Sequence, residues 1–308
     1  MNLHALRLRW RRSRHPLVRL AKFLIWTPWV LALAAPGLCL RATFAVGLIR
    51  PHRQPLYRGE PRPHPITVSL TSHGRRVSAT AHMAIISIMR QSLKPDRIVL
   101  WLDYDNWSDD ALPKSLLRLK KHGLEIRYCA DLRSYKKLIP AAEAYPGSII
   151  VTIDDDTFYK PTALAKGYAA LQAHPNATVA GEVYAISRNS DGAILPYRQW
   201  PRRPGADPLD NFPVGIGSTW WQPWKMHPHL TRQDLFTALA PQADDIWFFA
   251  MGRLCGMPVY KFTKGKPYID LDILHQHFHQ SSLAATNLYG GANDTQLAAV
   301  IDAYPELN

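Results

Sequence analysis

Cysteine is scarce in this chain of 308 residues. Cys39, Cys129 and Cys255 are odd in number and far apart. That excludes a disulfide framework and a zinc spacing, and favours a reducing compartment. Glycine-rich nucleotide loops are missing too. Neither a Walker pattern nor a dinucleotide fingerprint occurs, which disfavours those modes of cofactor binding. There is no internal repeat and no low-complexity tract. Acids are absent from the first 59 positions: residues 1–60 hold 11 Lys and Arg against Glu60 alone, while the remainder is nearly balanced at 26 against 23. The net charge of +13 is therefore a property of one end of the molecule.

That end has a second character. Arg7, Arg9, Arg11, Arg12, Arg14, Arg19 and Lys22 precede an uncharged run from Phe23 to Leu40, and apolar sequence continues to Arg50. Eighteen uncharged residues are at the short end of what crosses a bilayer. Pro28 and Pro36 argue against one straight spanning helix. A cleaved signal peptide lacks a small-residue cleavage site here. A nucleic-acid arm explains the arginines but not the apolar run. A membrane-associating segment over residues 1–50 explains both, with Trp26 and Trp29 suited to the headgroup boundary. Spanning and monotopic forms both stay open. Pro51, Pro55, Pro61, Pro63 and Pro65 then mark a stiff linker over 51–65. A folded domain is expected over 66–308.

Within it the pattern alternates. Strands are expected at Ile66–Thr71, Arg97–Leu102, Leu124–Cys129 and Ile149–Ile153. Helices are expected at 78–91, 109–122 and 134–145 between them. This is the signature of an α/β fold with a doubly wound, mostly parallel sheet. Later, 177–186 reads as a strand, 188–211 as a long surface loop, and 231–240 and 244–255 as helices.

The chain's chemistry centres on Ile149-Ile150-Val151-Thr152-Ile153-Asp154-Asp155-Asp156. A buried parallel strand runs straight into three acids, at the end where open α/β sheets place their ligands. Three adjacent carboxylates repel, so a cation should compensate them. Mg2+ or Mn2+ carrying a phosphate suits one or two carboxylates. The plainer reading is a polar turn capping the next helix.

Other stretches carry similar pairs of readings. Thr71-Ser72-His73-Gly74-Arg75-Arg76 follows the first strand and either holds a diphosphate or is an exposed polar loop. Ser134-Tyr135-Lys136-Lys137-Leu138 opens a helix; a solvated face fits Lys136 better, and a place near the sheet fits Lys137. Phe212 to Trp221 contains Gly215 and Gly217, which would let the backbone approach a ligand, and Trp220 and Trp221, which would stack on a sugar. It also reads as a buried strand with a bulge. Asp244 and Asp245 either cap a helix or supply the base that a transfer reaction needs. His275, His277 and His279 would share one face of a strand, where one of them could complete a metal shell.

Taken in order, Leu-Thr-Ser-x-Gly-Arg, Tyr-x-Lys-Leu, Ile-Asp-Asp-Asp, Gly-x-Gly with aromatics, and Ala-Asp-Asp-Ile-Trp resemble nucleotide-sugar glycosyltransferases of the GT-A fold. The likeness is to the family 2-like group of bacterial polysaccharide and capsule enzymes, over about residues 66–300. The resemblance implies a donor such as a UDP-sugar and Mn2+ or Mg2+ as cofactor. Asp154 would sit near the ribose and share the metal with Asp156, and Asp155 would support either. Thr71, Arg75 and Lys137 would help hold the nucleotide, and Gly215 and Gly217 would line the sugar pocket. Asp245, or else Asp244, would be the base of an inverting displacement. The acceptor would be a glycan or lipid-linked hydroxyl at the cytoplasmic face of a bacterial inner membrane, with no nucleic acid involved. The Gln-x-x-Arg-Trp of processive synthases is absent, so addition of a single sugar is expected. Two other classes remain open: a sugar-1-phosphate nucleotidyltransferase, and a non-catalytic, membrane-tethered glycan-binding protein.

Overall fold

The computed structural model describes residues 16–45, 49–272 and 291–307. Arg7 to Arg14 and the three alternating histidines, His275, His277 and His279, lie outside the described residues. The chain opens with α1 (Pro16–Ala45), one helix that includes Pro28 and Pro36. Neither proline interrupts the helix. Both are exposed, so the carbonyls they leave unbonded can be solvated. No helix among the described residues is long and apolar enough to cross a membrane. The proline-rich stretch that follows lies on the domain: Tyr57 N–H donates to the Pro95 carbonyl at 2.8 Å, and Arg62 pairs with Asp96.

The domain then alternates as expected through β1 (Ile66–Thr71), α2 (Arg76–Ala79), α3 (Ala81–Met89), β2 (Arg97–Asp103), α4 (Lys114–Lys120), β3 (Leu124–Cys129), α5 (Ile139–Ala144) and β4 (Ile149–Thr152). The helices are shorter than their periodicity suggests. Pro113 forces Leu112 into an extended conformation, so Asp109 heads a 3-10 turn and not a helix. Pro140 lacks the N–H that a continuous helix from 134 would need, so a 3-10 turn (Arg133–Lys137) precedes α5. After β5 (Thr157–Tyr159), α6 (Ala163–Ala173) and β6 (Thr178–Ala185), the chain makes the long strand β7 (Asn211–Trp221). It ends with α7 (Gln233–Leu239), α8 (Asp244–Arg253), β8 (Val259–Lys261), β9 (Tyr268–Asp270) and α9 (Ala292–Ala303).

Seven strands form one sheet in the order β3-β2-β1-β4-β7-β6-β8. β7 runs antiparallel to β4 and β6, and the other neighbours are parallel. One face packs Ile66, Val68 and Leu70 against Ile85, Ile88 and Leu116; the other packs Val99, Ile150 and Trp221 against Tyr135, Phe248 and Trp247. Ile66, Val68 and Leu70 are wholly buried, worth on the order of 2 kcal/mol each relative to exposure. A slip of one residue would put Thr67 and Ser69 in that apolar face instead. The register Ser69 to Thr152 is therefore firmly set, and it brings the ends of β1 and β4 level.

Candidate active site

The sheet order reverses between β1 and β4, with β2 on one side and β7 on the other. A crevice opens at the carboxyl ends of strands at such a switch point. The acidic triplet lies there. Asp154 N–H donates to the Tyr159 hydroxyl at 3.0 Å, turning the chain back into β5. The Ser72 hydroxyl, from the end of β1, donates to Asp155 Oδ2. β5 pairs with β9, and Leu271 N–H donates to the Asp156 carbonyl at 2.8 Å. That pairing brings Asp270 and Asp272 beside the triplet.

Arg76 supplies the nearest cation. Its Nη1 is 3.3 Å from Asp155 Oδ1, its Nη2 3.0 Å from Asp156 Oδ2 and its Nε 3.5 Å from Asp272 Oδ2. The charge is still not balanced. Burial, then Asp155, pushes Asp156 up to about 6 in spite of Arg76. Burial likewise pushes Asp270 up to about 6. Asp154 is raised well above the carboxylate range by burial and by Asp156 and Asp245, against the pull of Lys137.

Lys137 joins the triplet to the second acidic pair. Its Nζ is 2.8 Å from Asp244 Oδ2 and 3.4 Å from Asp245 Oδ1. Burial alone would lower this ammonium's pKa; Asp244, Asp245 and Asp154 outweigh it and hold it well above its usual range. Asp245 Oδ2 accepts the Gly215 N–H at 2.8 Å. Burial, then Asp244, raises Asp245, opposed by Lys137 and Gly215. The Asp244 side chain is 10% exposed and that of Asp245 27%, so Asp245 is the one open to the crevice.

The glycines act through a bulge in β7. Ala180 of β6 faces Thr219 and Glu182 faces Val214, so residues 215–218 oppose Gly181 alone. Gly217 at φ +88° and Ser218 at φ +77° make the turn. A Cβ on Gly215 would sit 2.5 Å from Asp245 Oδ1 and 2.8 Å from Lys137 Nζ. Gly217 faces the Tyr268 ring and Pro267.

The crevice thus gathers Asp154, Asp155, Asp156, Lys137, Asp244, Asp245 and Gly215. The other residues singled out in the sequence have partners within the protein. Arg75 is held by both oxygens of Asp272, at 2.7 and 2.6 Å, so its partner here is a carboxylate. Thr71 donates its hydroxyl to the Trp101 carbonyl at 2.9 Å. Trp220 and Trp221 are fully buried: Trp220 fills the space over Gly167, and Trp221 donates to Thr152. Neither can stack on a sugar. Lys136, read as solvated, is buried, 2.6 Å from Asp131 and 3.4 Å from Asp103.

Sequence reasoning singled out Ser72 and Arg76 only as part of the loop after β1, and passed over Asp270 and Asp272. The last two form a second Asp-x-Asp directly after a Tyr-Ile pair, and that repeat of the strand-then-acids pattern was a usable signal. A short strand gave it too little apolar length to stand out.

Whether the residues fit a divalent cation can be judged from this charge pattern. Among the described residues, no three His, Cys, Asp or Glu side chains are gathered closely enough to hold a metal ion by themselves. Asp154 and Asp156 nonetheless offer hard oxygen donors whose ionisation is incompletely compensated, which fits a cation that takes its other ligands from a bound phosphate.

No protein-family model matches the chain, and no curated protein matches its sequence. Among solved structures it is similar to S. aureus TarS 1-349 in complex with UDP, at 12% identity and a TM-score of 0.45, over 78% of this chain and 81% of that one. It is also similar to the mannosyltransferase PcManGT from Pyrobaculum calidifontis in complex with GDP-Man and Mn2+, at 16% identity and a TM-score of 0.43, over 89% and 84%. Both likenesses are loose, and what the site can do rests on its own side chains.

Proposed function

We propose that this chain is a nucleotide-sugar glycosyltransferase of GT-A type, transferring one sugar with inversion to a glycan or lipid-linked hydroxyl. The observation that carries the reading is the meeting of two acidic groups, Asp154–Asp156 and Asp244–Asp245, around Lys137 at the switch point. A transfer of this kind needs one group for the diphosphate and a separate base for the acceptor.

Asp156 and Asp154 would hold Mn2+ or Mg2+. When bound, the ion would neutralise charge on the departing nucleoside diphosphate. Ser72 and Arg76 fix Asp155, which keeps the triplet's backbone in place. Asp245 accepts the acceptor's proton: it faces the crevice, and burial lifts its pKa toward the range where a carboxylate is a useful base. Lys137 and the Gly215 N–H hold that carboxylate ionised and oriented. Asp244, more buried, shares the lysine.

The acceptor side involves the membrane. Leu31, Leu33 and Leu38 are exposed on α1, in a stretch without charge that follows seven basic residues. Anionic lipid attracts the basic residues and takes up the leucines. We place the enzyme at the cytoplasmic face of a bacterial inner membrane, building cell-surface polysaccharide. The glycan-binding alternative needs exposed tryptophans at 220 and 221, and these are core residues. The nucleotidyltransferase alternative needs a glycine-rich loop after β1, where Gly74 is the single glycine.

The test is calorimetric titration of the full chain with UDP and GDP, with and without Mn2+, followed by a panel of nucleotide sugars scored for donor consumption. Mn2+-dependent binding of one nucleotide and turnover of its sugars is the expected outcome. Binding of neither would overturn the reading.

A further inference from the structure

The reading above gives α1 one task, holding the enzyme at a lipid surface. Its packing gives it another. Ala34, Gly37, Arg41 and Phe44 follow at spacings of three and four, forming one stripe along the helix. Ala34 is buried at 4% exposure. Gly37 lies so close to β9 that a Cβ there would overlap the Asp270 carbonyl oxygen. Arg41 Nε donates to the Leu271 carbonyl at 2.9 Å, and its Nη2 is 3.6 Å from Asp272 Oδ1. Phe44 sets its ring edge against Phe158 of β5 and against His82. The helix therefore touches both strands of the small β5–β9 sheet.

That sheet carries the acids. Asp156 precedes β5 and Asp272 follows β9, and the two strands are tied at Leu271 and Asp156. Asp272 is buried at 2% exposure and meets three arginines from three parts of the chain: Arg41, Arg75 and Arg76. Arg76 in turn spans Asp155 and Asp156. A continuous set of charged contacts, Arg41 to Asp272 to Arg76 to Asp155 and Asp156, runs from the helix to the crevice. A guanidinium aims its N–H groups as a rigid fork, so moving its anchor moves its aim.

We propose that Arg41 is a positioning residue of the donor site, acting through Asp272 and Arg76, and that α1 is a working wall of that site as well as an anchor. The proposal rests on the glycosyltransferase reading. It predicts that unseating the helix weakens binding of the nucleoside diphosphate.

The experiment titrates UDP and GDP with Mn2+ into the full chain and four variants, with thermal melting as a control. Arg41→Gln removes the charge. Gly37→Leu displaces the helix without touching any charge. Arg41→Lys keeps the charge without the fork. Leu33→Gln alters the exposed side of the same helix. Arg41→Gln and Gly37→Leu should each weaken binding about tenfold, the size of one charged hydrogen bond, with melting close to wild type. Arg41→Lys should recover part of the loss, and Leu33→Gln should bind as wild type does. Wild-type affinity in both Arg41→Gln and Gly37→Leu overturns the proposal and leaves the glycosyltransferase reading intact. Equal weakening by Leu33→Gln overturns it too, since the effect would then belong to the helix in general. Failure of the wild type to bind either nucleotide overturns the reading itself and takes the proposal with it.

Discussion

The backbone N–H of Gly215 points at the carboxylate of Asp245 across 2.8 Å. One residue comes from a bulge in β7, which runs against both its neighbours in the main sheet, the other from the first turn of α8. Gly215 can approach because it carries no side chain. Gly215→Ala would force its new methyl into Asp245 and Lys137. Displacing a catalytic group by about 1 Å can cost on the order of 100-fold in rate. We therefore expect kcat to fall by about that factor while the affinity for nucleoside diphosphate is kept, as measured by steady-state kinetics beside calorimetry.

Lys137 is the counter-ion shared by both acidic groups. Lys137→Met would leave Asp244 and Asp245 buried without a cation. Breaking a buried ion pair from one side costs about 3–5 kcal/mol. Urea unfolding should show a loss in that range, and Asp244→Asn in the same background should restore part of it. A loss under about 1 kcal/mol would mean that water already screens the pair.

Lys136 makes a separate prediction. It holds Asp103 at the end of β2 and Asp131 just beyond β3, whereas Asp155 and Asp156 are held by Arg76. Lys136→Met should destabilise by about 3 kcal/mol. Metal-dependent nucleotide binding at temperatures where the variant is folded should be unchanged.

Stability should also vary with pH in a definite direction. Asp270 binds its proton in the folded protein up to about pH 6, whereas the unfolded chain releases it near 4. Between those values the folded state holds more protons at this carboxyl, so its own contribution to stability is fully present below about pH 4 and is lost as pH rises through about 6. Asp270→Asn keeps the acceptor for Asp272 N–H and removes the titration. It should flatten melting temperature between pH 4 and 6 and stabilise the protein at pH 7 by about 1–2 kcal/mol.

Strands β1 to β4 and β6 were legible as short apolar and β-branched segments between turns, β8 with its three residues was not, and the acids at the end of β4 were legible because a continuous apolar run leads into them. Helix lengths were not, because Pro113 and Pro140 reset the backbone inside segments whose periodicity continues past them. The crevice's two halves were each legible as motifs. Their union through Lys137 was not, since it joins positions more than a hundred residues apart. For Trp220 and Trp221 the sequence left a stacking surface and a buried, bulged strand both open, and the structure shows the second: paired tryptophans look the same in sequence whether they face solvent or fill a sheet. Asp272 escaped notice, and Arg76 was seen only as part of a loop, because the significance of each depends on the other, and on a helix that composition alone assigns to a membrane.

The most direct test compares two isosteric variants in one assay: donor consumption and nucleoside diphosphate affinity for Asp156→Asn and Asp245→Asn, in Mn2+, against the wild type. The account predicts that both lose turnover by about 100-fold or more, the scale of a general base or a metal-bound charge. It predicts that affinity falls with Asp156→Asn and is kept with Asp245→Asn. Full turnover in Asp245→Asn, or unchanged affinity in Asp156→Asn, would contradict it.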